Sequence, residues 1–352
     1  MDFFANQAKA RKNTHVLVVY FVLAIVSIIA SVYIASLMIF YGYQSQQQSD
    51  VPPPGLVLWD PTLFLYATLG TLGVVVIGSL YKTAALAQGG SAVAESLGGR
   101  LVETGTTNLD ERKLRDVVEE MAIASGVPVP KIYVLDEDEG INAFAAGHSP
   151  TDAAVAVTHG CMTLLNRDEL QGVVGHEFSH ILNGDMRLNL RVMGVIFGIL
   201  CLAVFGRILL FSQGRGSKGR NPMLLMGIAL IVIGAIGVFF ARLIQAALSR
   251  QRESLADASS VQFTRNPAGL SGALQKIGGV GSRIESPHAG EANHMFFSDG
   301  LGKPFFQMLA THPPLEERIR AIDPSWDGKF KDISVTAVKA ESPHGAGLRE
   351  EP

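Results

Sequence analysis

Four stretches of the chain, about 16–43, 63–81, 192–211 and 222–241, run apolar almost without interruption. The hydrocarbon core of a bilayer needs roughly 20 such residues in a helix, so each stretch predicts a transmembrane helix. The first is too long for the apolar region of a cleaved signal peptide, and Lys9, Arg11 and Lys12 precede it. The polar loop at 44–55 has no Lys or Arg, whereas Lys82 follows the second run. Positive charge stays on the cytoplasmic side, so the N-terminus and the chain after residue 87 are expected there. In the third run Arg207 can snorkel to an interface. The loop at 212–221 carries Arg215, Lys218 and Arg220, which runs against the same rule for a fully spanning pair. Arg187, Arg191, Arg250 and Arg252 weigh the other way, and the cytoplasmic assignment is kept. The third and fourth runs are read as a pair that either crosses the bilayer or forms a hairpin within it.

Between and after these runs the period changes. Leu114, Val117, Val118 and Met121 recur at helical spacing, with Asp110 as the expected cap and Gly126 as the stop. Short strands follow at 131–135, 141–147 and 153–158. Asn166 with Glu169 three residues on is a capping-box pattern. It opens a helix striped by Leu170, Val173, Val174 and Phe178, with Gly184 as its stop. The fourth apolar run continues as a helix through 249–257 until Asn266-Pro267. A short amphipathic helix at 269–277, a loop at 278–299 holding His288 and His294, a turn at 311–314 and a helix at 315–322 come next. From about 332 no core pattern remains, and a disordered tail is expected. The expected segments are therefore 1–87 with two spans, 88–190 and 243–331 as two parts of one soluble domain, 191–242 with two more spans, and 332–352 as the tail.

Composition agrees with a membrane protein: of 352 residues 48% are hydrophobic, and the mean hydropathy is +0.27. A net charge of −3 and a pI near 6.3 leave no basic surface for nucleic acid. Two cysteines, Cys161 and Cys201, exclude a disulfide framework and a cysteine-based metal site, and fit a reducing compartment as buried thiols.

The chemistry gathers at His176-Glu177-Phe178-Ser179-His180. On a helix, positions i and i+4 share a face about 6 Å apart, so both imidazoles can address one metal ion. Glu177 is placed to take a proton from water at that metal. A catalytic zinc needs a third protein ligand and one open position. Glu253 is the best placed, because Glu253 and Asp257 lie one helical turn apart on one face, leaving Asp257 to orient a ligand histidine. The plain alternative is the charged face of a helix, and His288, His294 and Asp257 stay open as ligands. Topology favours Glu253. His180 and Glu253 each lie roughly twelve residues, about 18 Å of helix, from their apolar runs, provided no bend intervenes at Asn183-Gly184.

Four motifs in this order resemble the HtpX-like membrane zinc metalloproteases, a family that includes the CAAX prenyl proteases within the gluzincin class. They are Asn142-Ala143-Phe144-Ala145, His176 to His180, Glu253-Ser254-Leu255-Ala256-Asp257, and His312-Pro313-Pro314 followed by Arg318. The resemblance covers the chain apart from the tail, and departs from the family mainly at the loop 44–55 and the C-terminal extension. It implies an α+β gluzincin-type metalloprotease domain, helices with a small edge-exposed sheet, joined to about four transmembrane helices. It implies one catalytic Zn2+ on His176, His180 and Glu253, with Asp257 behind His176. Asn142, Ala143, Phe144 and Ala145 become an edge strand that holds a substrate backbone by strand addition. His312 and Arg318 become an additional active-site pair, with His312 suited to donate to an oxyanion.

The implied function is a multi-pass, membrane-bound zinc endopeptidase of the bacterial inner membrane, facing the cytoplasm. Its expected partners are the bilayer and misfolded or damaged membrane proteins, as in quality control and stress response. Two other readings are a specific processing protease of the CAAX type and a zinc-binding scaffold without turnover. The intact base Glu177 speaks against the scaffold. Transport is weaker still, because Arg207 is the only charge well inside an apolar run.

Overall fold

The four apolar runs are helical in a computed structural model that describes residues 3–47, 58–85, 89–211, 221–286, 295–298 and 310–331. Most of the loop at 44–55, the basic loop at 212–220, His288, His294 and the tail expected from 332 lie outside the described residues. The helices are α1 (Phe3–Gln47), α2 (Pro61–Ala85), α7 (Asp185–Phe211) and α8 (Pro222–Thr264). All four are long and apolar enough to cross a membrane. No more than 28% of any of their apolar windows is buried within the protein. Such an apolar exterior belongs in lipid, where a helix also satisfies every backbone group internally. At 43 residues α8 exceeds a bilayer by half its length. Its apolar first half is the span, and its polar second half belongs to the soluble unit.

The chain divides into two compact units. One comprises 11–87 and 190–248, the other 88–189 and 249–352 with the first ten residues. In the first unit Ile28, Val32, Val75, Ile199, Leu202 and Leu230 form the shared core. Helix contact there uses small residues. A Cβ on Gly198 of α7 would stand 2.3 Å from both the Val75 carbonyl and Ser79 Oγ of α2, so only glycine admits this approach.

The second unit holds the remaining elements: α3 (Gly90–Ser96), β1 (Arg100–Leu101), α4 (Leu109–Ser125), β2 (Lys131–Leu135), β3 (Ala143–Ala146), β4 (Ala154–Thr158), α5 (His159–Leu164), α6 (Arg167–Asn183), α9 (Pro267–Val280) and α10 (Leu315–Ile322). The sheet order is β1-β2-β4-β3, with β2 and β4 parallel and β3 antiparallel to β4. Ile132, Val134, Ala143, Ala145, Val155 and Val157 share one face and enter a core with Leu114, Val118, Met121, Val173, Val174 and Phe178. The helical stripe on α4 is thus the buried one. Its cap is Asn108 rather than Asp110: the Asn108 side chain accepts from the backbone N–H of Asp110 and Glu111. Asp110 instead sits in the first turn, where its charge meets the positive end of the helix dipole.

The helix of the histidine motif opens on Asn166, with the full capping box to Glu169. It does not run straight on toward the third apolar run. Gly184, at φ 70°, ends α6 in the left-handed conformation, and α7 begins afresh at Asp185. The straight-helix height argument therefore fails on one side, because a left-handed residue redirects the chain.

Candidate metal centre

The centre is built by two helices. On α6, His176 and His180 turn their Nε2 atoms to within 3.1 Å of each other. From α8, Glu253 Oε2 lies 3.5 Å from His176 Nε2, and Oε1 lies 3.6 Å from His180 Nε2. These three residues offer ligand atoms all within 4.8 Å of one another. His176 is fully buried, and Glu253 is 2% exposed.

What lies behind each histidine decides which nitrogen faces inward. His176 Nδ1 is 2.9 Å from Asp257 Oδ1, and His180 Nδ1 is 2.8 Å from Asp185 Oδ2. A carboxylate at Nδ1 holds the proton there and leaves the Nε2 lone pair free. Two lone pairs and a carboxylate converging in a buried space concentrate negative potential. A dication relieves it, and the donor set of two imidazoles and one carboxylate suits one metal ion. Burial disfavours the imidazolium of His176, yet Glu253 and Asp257 outweigh it and hold its pKa above the ordinary range. The same holds for His180, where burial is outweighed by Glu253 and Glu177. For Glu253, burial is overcome by His312 and His176, and its pKa lies well below the usual carboxylate range.

Glu177 is not among the three candidate ligands. Its carboxylate is 1% exposed, and neither oxygen has a hydrogen-bond partner among the described residues. Burial raises its pKa against the pull of both histidines. A buried carboxylate without partners is costly, and a water to deprotonate gives it one.

Arg318 is buried, at 3% exposed, and clamps Asp257 with two bonds: Nε donates to Oδ2 at 2.9 Å and Nη2 to Oδ1 at 2.7 Å. It thus stands behind Asp257, which stands behind His176. Burial is overcome first by Arg318 and then by His176, and the Asp257 pKa stays low. His312 Nδ1 lies 3.0 Å from Glu253 Oε2 without hydrogen-bond geometry, and neither ring nitrogen has a hydrogen-bond partner among the described residues.

β3 is the last strand of the sheet, but all four of its residues are buried, and its outer side is partly taken by the chain itself. Phe296 bridges Phe144 in antiparallel fashion, and Phe297 N–H donates to Ala143 C=O at 2.7 Å. The Asn142 side chain donates to the carbonyls of Ser282 and Ser298 and accepts from the N–H of Ala143 and Ser298. Its four hydrogen-bonding positions are all used within the chain. A bare buried edge would leave backbone groups unpaired, and the 295–298 segment supplies them. Ala145 alone of β3 lines the small cleft beside His180 and Glu253, about 10 Å3 and so room for about one water, with Met295 and Phe296 on its wall.

Two residues at the centre went unread in the sequence, Asp185 and Arg252. Asp185 pairs with Arg252 as well as with His180. The available signal was an acidic residue directly after the glycine that stops the histidine helix.

The family model of peptidase family M48 matches residues 108–325. The chain belongs to peptidase family M48. Its M48 relatives include a protease HtpX homologue of Caldanaerobacter subterraneus subsp. tengcongensis, 41% identical over 231 residues, covering 63% of this chain and 76% of the relative. A protease HtpX homologue of Streptococcus gordonii is 36% identical over 260 residues, covering 72% and 85%. One of Dictyoglomus turgidum is 40% identical over 211 residues, covering 59% and 68%. Among solved structures, the crystal structure of S. mikatae Ste24p aligns over 90% of this chain and 66% of its own at 17% identity, with a TM-score of 0.44. This M48 chain is a membrane metallopeptidase with four candidate spans and one candidate metal site among the described residues.

Proposed function

We propose that this M48 peptidase is a single-zinc endopeptidase that cleaves misfolded or damaged membrane proteins, its site facing the cytoplasm at a bacterial inner membrane. The observation that carries the chemistry is the convergence of His176, His180 and Glu253 beside the unpartnered carboxylate of Glu177. Two nitrogens and one oxygen make a catalytic zinc set with room for a fourth partner. Zinc bound there would supply Lewis acidity, polarising a peptide carbonyl and lowering the pKa of water.

The chain's own residues do the rest. Glu177 takes the proton of the attacking water and delivers it to the leaving nitrogen. Asp257, held by Arg318, keeps the proton of His176 on Nδ1 and so directs Nε2 inward. With both ring nitrogens protonated, His312 lies against Glu253 through Nδ1 and donates from Nε2 to the developing oxyanion. A peptide would lie extended at the mouth of this small cleft, beside Ala145, the residue of β3 that lines it together with Glu253. Arg318 acts through Asp257, and Asn142 through the loop it pins. The choice of clients rests on the anchor: a site tethered to four candidate spans meets membrane proteins at high effective concentration.

The test is Glu177→Gln in the full chain. Zinc should remain bound one to one while cleavage of an unfolded membrane substrate is lost. Cleavage at the native rate would refute the assigned base. Membranes carrying the variant should accumulate many damaged proteins, and a single uncut precursor would refute the quality-control reading.

A further inference from the structure

His180 has a clamp of its own that matches the one behind His176. Asp185 Oδ2 meets His180 Nδ1 at 2.8 Å, and the other oxygen of Asp185 is ion-paired with Arg252. Asp185 is 2% exposed, and the Arg252 side chain is 14% exposed. Each histidine therefore has a buried carboxylate at Nδ1, and each carboxylate has an arginine behind it, Arg318 buried and Arg252 partly exposed.

The local backbone makes this contact reachable. In an unbroken helix a residue five positions on lies about 140° round the axis and about 7.5 Å further along, so Asp185 could not touch His180. The left-handed turn at Gly184, φ 70°, breaks the helix and folds Asp185 back. On α8, Arg252 immediately precedes Glu253, and Asp257 follows one turn later. One helix thus brings the third candidate ligand, the carboxylate behind His176 and the arginine paired with the carboxylate behind His180. A buried ion pair contributes little to stability compared with well-packed apolar residues, which makes this one poor as mere scaffolding.

We propose that Asp185, held by Arg252, is a positioning residue for His180, keeping its proton on Nδ1 and turning Nε2 toward the metal. This rests on the zinc reading above. The competing role is structural, an acidic residue in the first turn of α7 that only favours the helix dipole.

The test uses the full chain in detergent, titrated with Zn2+ against a competing chelator. The metal-free melting temperature and the visible spectrum of the Co2+ form are recorded alongside. Asp185→Asn and the double variant Asp185→Asn/Arg252→Gln are compared with wild type. The double variant neutralises both members of the Asp185–Arg252 pair, so neither is left as an unpaired charge of that pair. We expect both to bind zinc at least about tenfold more weakly, with an altered Co2+ spectrum. A double variant that loses less than about tenfold, with damage confined to its metal-free melting temperature, overturns the proposal. Wild type that binds no zinc overturns the zinc reading itself, which is a different result from the first.

Discussion

Replacing Arg318 by Met removes one charge from the buried Arg318–Asp257 ion pair and keeps much of the side-chain volume. Asp257 then retains only His176 Nδ1 as partner, and the Phe297 carbonyl loses the donor now 2.9 Å away. Both members of the pair are nearly inaccessible, Arg318 side chain 2% and Asp257 side chain 5% exposed, so solvent cannot compensate. Breaking such a pair costs about 3–5 kcal/mol, a large part of the roughly 5–15 kcal/mol that stabilises a folded protein. For a unit of this size each kcal/mol shifts the melting temperature by about 2–4 °C, so a fall of about 6–20 °C is expected. The cost arises from the stranded carboxylate, so Arg318→Met/Asp257→Asn should recover part of the loss. Zinc affinity should fall in both variants, because His176 loses its orientation in each. The assay is thermal unfolding of the metal-free chain in detergent, followed by zinc titration of the folded protein. A single variant melting within about 2 °C of wild type, or a double variant no more stable than the single, would refute the stranded-charge account.

Glu253→Ala should lower zinc content together with activity, read by metal analysis of purified protein; unchanged stoichiometry would return the third-ligand role to Asp257, His288 or His294. Gly184→Ala places a Cβ at φ 70°, which costs more than about 1 kcal/mol and moves Asp185 off His180, so both melting temperature and zinc affinity should drop. Because the pKa values of His176 and His180 are raised in the metal-free fold, their contribution to metal-free stability is complete below about pH 6.5 and fades as pH rises through the raised values. Protons then compete with metal from above pH 6.5 downward, so zinc release on acidification should begin above that pH, as a chelator assay across pH can show. Gly198→Leu forces a side chain against Val75 and Ser79 and should destabilise the membrane unit by at least about 1–3 kcal/mol, read as lost thermal stability in detergent.

Features with a local cause were legible in the residues alone. Apolar runs of bilayer length became helices of that length or more, because hydrophobicity and backbone satisfaction act within a segment. The spacing of His176 and His180 put both on one face of α6, and the Asn166 capping box and Gly184 stop lie where short-range signals placed them. Glu253 and Asp257, one turn apart, share a face for the same reason.

What tertiary structure alone decided is how segments far apart in sequence satisfy one another. The edge strand looked bare because a sequence cannot say which distant segment will cover it; Phe296 and Phe297, some 150 residues on, do so. Arg318, a surface-compatible position on an eight-residue helix, is buried on Asp257 because that carboxylate needs a counter-charge once removed from water. Asp185 meets His180 only because the stop at Gly184 also reverses the chain. The sequence by itself therefore determined the period, the spans and the chemistry offered by α6 and α8. The fold determined which buried charges face each other, since burial makes every unpaired charge costly and that cost is set in three dimensions.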